Sequence, residues 1–104
     1  MLPDKKIEVN WSRQAKGDLK NIFERIKGKT KSIESATNVR TDIIETSKNI
    51  NFVEQYQVDE FLGEPFRRMV VRHFKIIYKI QSDTEIRILQ IFDSYQHPKR
   101  LRKK

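Results

Sequence analysis

Cysteine is absent from the 104 residues. That absence removes disulfides, thiolate metal ligands and cysteine nucleophiles together, and it makes a reducing cytoplasm the expected setting. Histidine is scarce: His73 and His97 are the two in the chain. They are too few for a histidine-rich metal cage, and no metal or other cofactor is expected. Glycine and proline occur three times each, and no low-complexity linker divides the chain. No apolar run approaches the roughly 18 residues that span a bilayer, and Met1-Leu2-Pro3-Asp4-Lys5-Lys6 lacks the apolar core of a signal peptide. The expectation is a soluble, cytoplasmic protein with no membrane partner.

Positive charge is abundant. Lys and Arg number 22 against 14 Asp and Glu, for a net charge of +8. Residues 1–31 carry nine basic and four acidic side chains, residues 32–66 two and seven, and residues 67–104 eleven and three. The last third is therefore the basic end, a surface that attracts nucleic acid, a ribosome or an acidic protein through a salt-screened field. The plain alternative is a solvated face. With 37% hydrophobic residues and ten aromatics among them, a chain of this length builds one core and folds as one domain.

Ile7-Glu8-Val9-Asn10-Trp11 alternates apolar and polar residues, the period of a half-buried strand. Ser12 follows as a helix N-cap, and Ala15, Leu19, Ile22, Phe23 and Ile26 form one apolar stripe, predicting a helix from about Arg13 to Lys27 that leaves through Gly28. Thr30 or Ser32 caps a second helix with Ile33, Ala36, Val39, Ile43 and Ile50 on one face. Residues 51–62 read as an irregular connection, and Gly63-Glu64-Pro65 as a turn. Phe66 to Val71, Phe74 to Ile80 and Ile86 to Phe92 are runs of β-branched and aromatic residues joined by short turns, so an antiparallel meander is expected. The order strand, helix, helix, three strands implies an α+β fold with an antiparallel helical hairpin on one face of the sheet. Residues 1–98 are read as the domain and residues 99–104 as a basic tail.

The order of these elements and the residues on them resemble the RelE/ParE family of bacterial toxins, the toxin halves of type II toxin-antitoxin pairs. The likeness is carried by Trp11-Ser12, then Ala15, Asp18-Leu19 and Ile22, then Phe66-Arg67-Arg68-Met69-Val70-Val71, Phe74-Lys75-Ile76-Ile77-Tyr78, and Gln96-His97-Pro98 after the last strand. The resemblance implies a cognate antitoxin as partner and one of two activities, of which ribosome-dependent mRNA cleavage is the expected one and inhibition of DNA gyrase the alternative. RelE-like members cut mRNA on the ribosome, without a metal, using basic strand residues and a proton-transfer group near the C-terminus. ParE-like members poison DNA gyrase. Carried onto this chain, the first activity implies Arg68, Lys75 and Tyr95 as catalytic residues, with Arg67, Arg72, Lys99 and Arg100 binding RNA or another target. A non-toxic basic nucleic-acid-binding domain is a further alternative.

Strand alternation sets Arg68 and Arg72 on one face, and Lys75 lies just past the turn. The family resemblance implies that Arg68 and Lys75 lie on the surface away from the helices, facing an open groove, which would cluster the three cations around one phosphate. His73 and His97 have no acidic partner visible in the sequence and read as surface histidines. Phe66, Phe74, Tyr78 and Phe92 read as core before they read as base-stacking platforms, and Trp11 as a core anchor.

Overall fold

A computed structural model describes residues 6–95. The elements are β1 (Glu8–Trp11), α1 (Arg13–Thr30), α2 (Ile33–Lys48), β2 (Phe66–Val71), β3 (Phe74–Ser82) and β4 (Glu85–Asp93). The strands form one mixed sheet in the order β1-β4-β3-β2. β2, β3 and β4 make the antiparallel meander, and β1 runs parallel to β4 along Glu85 to Ile88. The α+β reading and the helical hairpin therefore hold, and the first strand takes its place beside the last.

Ser12 joins strand to helix with both ends of its side chain. Its Oγ accepts the Ala15 N–H at 3.0 Å, capping α1, and donates to the Leu89 carbonyl at 2.8 Å. That carbonyl lies at an irregularity in the β3–β4 register, where Leu89 has no partner in the ladder. Ser12→Ala is expected to cost about 1–2 kcal/mol, the ordinary loss for a helix cap, measured as a lower urea midpoint.

Helix α1 runs three residues beyond the predicted Lys27, and Gly28 lies inside it. A single helical glycine costs only about 1 kcal/mol relative to alanine, too little to stop a helix whose Thr30 hydroxyl donates to the Ile26 carbonyl at 2.7 Å. Lys31, at φ 58°, makes the left-handed exit instead. Of the two candidate caps for α2, Ser32 accepts the Ser35 N–H at 3.0 Å. Ile33 stands outside the predicted stripe, 65% exposed in the first turn, whereas Ala36, Val39 and Ile43 are buried. Ile50 is buried too, beyond the helix end.

The core lies between the hairpin and one sheet face. Ala15 and Ile22 of α1 and Val39 and Ile43 of α2 meet Met69, Val71, Phe74, Ile76, Tyr78, Ile86, Ile88 and Ile91, with Trp11 and Leu19 packed against them. Phe74 and Tyr78 are core, as expected. Tyr78 donates its hydroxyl to the Val53 carbonyl at 2.8 Å, which ties the connection after α2 to the core, and burial raises its pKa above the ordinary 10.0. Asp18 accepts the Ile91 N–H at 2.9 Å, fixing α1 to the part of β4 that β1 leaves uncovered. Among the described residues no helix is long and apolar enough to cross a membrane.

Candidate functional site: the cationic sheet face

The register fixes what the other sheet face displays. Lys75 stands between Val70 and Phe92, Ile77 between Arg68 and Gln90, and Lys79 between Phe66 and Arg87. Side chains alternate along each strand, so these three rows share the face turned away from the helices.

Part of this face is covered, and the expected open groove is absent there. Residues 57–59 run antiparallel along β2, with Arg68 N–H on the Gln57 carbonyl at 3.0 Å and Asp59 N–H on the Phe66 carbonyl at 2.8 Å. This pairing closes the sheet edge at β2. Beyond it the chain turns under Asp59, whose Oδ2 accepts the N–H groups of Phe61 and Leu62 at 3.1 and 2.8 Å. Its Oδ1 lies 2.9 Å from the Lys75 ammonium, an ion pair off the line of a well-aligned hydrogen bond. Lys75 is 13% exposed and Asp59 1%. Burial pushes the Asp59 carboxyl up, but Lys75 and the two N–H donors outweigh it and hold the group below its ordinary 3.8. The Phe61 ring lies 4.9 Å from the same ammonium.

The other expected site residues have equally definite partners. Arg68 donates to the Val58 carbonyl at 3.1 Å and to Gln57 Oε1 at 3.3 Å, with Glu60 at 4.0 Å. Arg67 donates to the Tyr56 carbonyl at 2.6 Å. Arg72 departs from the alternation that grouped it with Arg68. It sits in the β2–β3 turn at φ 58°, as the tight hairpin turns require of a first turn residue, and its guanidinium reaches Asp42 of α2 at 2.7 Å. The three cations do not converge on one point: Lys75 and Arg68 share the outer face, and Arg72 turns to the helix side.

Tyr95 is 78% exposed and stacks on His73, with ring centroids 4.2 Å apart and planes 6° from parallel. His73 has the acidic partner that the sequence did not reveal, since its Nε2 lies 3.4 Å from Asp93 Oδ1. Asp93 also pairs with Arg25 of α1 at 2.6 Å and accepts the Tyr95 N–H at 3.0 Å. No local signal pointed to Asp59, Asp93 or Arg25 as partners, because each lies on a different element from the cation or anion it meets. Lys99, Arg100 and His97 lie outside the described residues.

A helical hairpin on a mixed four-stranded sheet, with strand cations on the opposite face, is the build of a RelE/ParE-type toxin. The family described as the ParE toxin of the type II toxin-antitoxin system parDE matches residues 9–98, and the chain belongs to that family. A solved structure of a chromosomal ParDE toxin-antitoxin system from P. aeruginosa has the same fold. It superposes with a TM-score of 0.71 at 23% identity, over 86% of this chain and 97% of that one. Among curated protein sequences none matches. Membership of a toxin-antitoxin family implies an antitoxin as partner.

Proposed function

We propose that this chain, when free of its antitoxin, arrests growth by binding and blocking DNA gyrase. The observation that carries this reading is the Lys75–Asp59 pair. Cutting RNA without a metal needs a proton acceptor for the 2′-OH, a donor for the leaving oxygen and positive charge at the phosphate. The best-placed strand cation is instead held, largely covered, against a carboxylate 2.9 Å away, and a phosphate approaching it meets that negative charge. Arg68 is held by a carbonyl and an amide oxygen, and Arg72 by Asp42. Tyr95, the expected proton-transfer group, stands stacked on the His73 ring. The ParE family assignment points the same way.

Induced alone from a tight promoter, the chain is expected to stop growth, and co-expression of its antitoxin to restore it. Purified chain is expected to inhibit supercoiling by purified gyrase, with cellular messages intact in the first minutes after induction. Early cleavage of messages on ribosomes, with gyrase unaffected, would establish the mRNA-cutting activity instead and return Arg68, Lys75 and Tyr95 to catalytic roles.

A further inference from the structure

Six large apolar side chains are strongly exposed among the described residues: Ile33, Phe52, Phe61, Leu62, Val70 and Tyr95. Two of them flank Lys75, and a third adjoins one of these in the chain. Val70, 61% exposed, is the register neighbour of Lys75 on β2, the Phe61 ring lies over its ammonium, and Leu62 follows Phe61 in the chain. Phe92, half-buried, flanks Lys75 from β4. A strand face turned to water is ordinarily polar, and a contiguous exposed apolar patch on a small protein marks an interaction surface.

On the same face Lys79 and Arg87 stand directly opposite each other, both exposed, and among the described residues neither has an ion-pair partner. Like charges directly across a ladder repel, so this pair is a standing electrostatic cost that an acidic partner relieves. The combination selects the class of partner. A nucleic acid would bring phosphates against Asp59 and Glu60, with the central cation already neutralised. A second copy of the chain would set Lys79 and Arg87 against their own kind.

We propose that the patch of Phe61, Leu62 and Val70, with Phe92 beside it and Lys79 and Arg87 bordering it, is the surface that docks on the target, a protein surface presenting apolar side chains next to carboxylates. The assignment rests on the reading that the chain acts by binding a protein. It adds to that reading which face makes the contact and what chemistry receives it.

The test compares Val70→Asp, Val70→Lys, Val70→Leu and the double variant Lys79→Glu/Arg87→Glu by growth arrest, affinity for purified gyrase, antitoxin affinity and melting temperature. Val70→Asp and Val70→Lys are both expected to lose about thirtyfold in affinity, the size of an interface hot spot, and to lose growth arrest. Val70→Leu should retain both, and the charge-reversed double variant should be weakened. All should bind antitoxin as the parent does and melt close to it, because Val70, Lys79 and Arg87 are exposed. If Val70→Asp or, should that variant fold poorly, the double variant arrests growth like the parent, the assignment is overturned. If Val70→Lys retains or gains potency while Val70→Asp loses it, the face receives a polyanion and the protein-docking assignment falls. Loss of antitoxin binding together with toxicity would make the patch the antitoxin's seat, which also overturns it. If the parent leaves gyrase untouched, the gyrase reading fails by itself, and the growth-arrest comparison still decides the patch.

Discussion

Replacing Lys75 by Met is expected to destabilise the fold by about 3–5 kcal/mol, the usual consequence of removing one partner from a buried ion pair. The carboxylate of Asp59, 1% exposed, would lose the one cation paired with it among the described residues, and its Oδ1 would stay buried with that charge gone. In a domain of this size the loss corresponds to a fall in melting temperature of more than about 10 °C. The double variant Lys75→Met/Asp59→Asn should recover much of it. The asparagine oxygen still accepts the N–H groups of Phe61 and Leu62, and no charge is left buried.

The pH dependence follows from the depressed Asp59 pKa. A carboxyl whose folded pKa lies below its unfolded value contributes stability that is present above the unfolded value and lost as pH falls through the folded one. The stability this carboxyl contributes to the parent should therefore be full at neutral pH and be lost as pH falls below about 3.8. Coincident denaturation curves for parent and Lys75→Met at pH 7 would show that the pair contributes nothing. The family resemblance alone suggests a mild stability effect at Lys75, because it places the lysine on an open face and does not reveal the carboxylate above it.

Ile22→Asp is expected to abolish cooperative folding. Ile22 is 4% exposed, in the middle of the α1 stripe, and an unpaired carboxylate there costs several kcal/mol on top of the lost packing. The sum is comparable to the whole stability of a small domain, about 5–15 kcal/mol. Leu19→Asp should be milder, since Leu19 packs on the edge of the core and is only half-buried. The check is a thermal melt by circular dichroism. A cooperative transition for Ile22→Asp at the parent temperature would mean that the stripe is not core.

These two expectations differ in how much of them the sequence carries. The stripe of Ala15, Leu19, Ile22 and Ile26 is a local repeat, and a helix with such a stripe has to bury it. The same holds for the Ser12 cap, for the alternation in β1 and for the turn-bounded runs of β2, β3 and β4, whose periods and breaks lie within a few residues of one another. Local features place boundaries less well where two small energies compete. Gly28 favours an exit from α1, yet the helix continues to Thr30 because one glycine is a weak stop.

The candidate site was legible as a set of cations and not as an arrangement. Arg68 and Lys75 do share a sheet face, as the family resemblance implies and the β2–β3 register shows. Arg72 does not join them, because a period of two ends where the strand ends, and Arg72, in the turn at positive φ, directs its side chain to Asp42 of α2. Nor could His73 be paired from sequence with Asp93, or Arg25 with the same carboxylate across 68 residues.

By itself, then, the sequence determined the elements, their order, the buried faces and the resemblance to a toxin family, because caps, periods and turn residues act over one or two turns of chain. Only the tertiary structure decided which charges are neutralised. An ion pair depends on distances of a few ångströms between groups that the chain brings together from separate elements, and burial sets its strength. Asp59 over Lys75 is the case that matters most here. The fold, through the turn after residues 57–59, converts a free strand cation into a buried pair and leaves Val70, Lys79 and Arg87 as the exposed chemistry of that face.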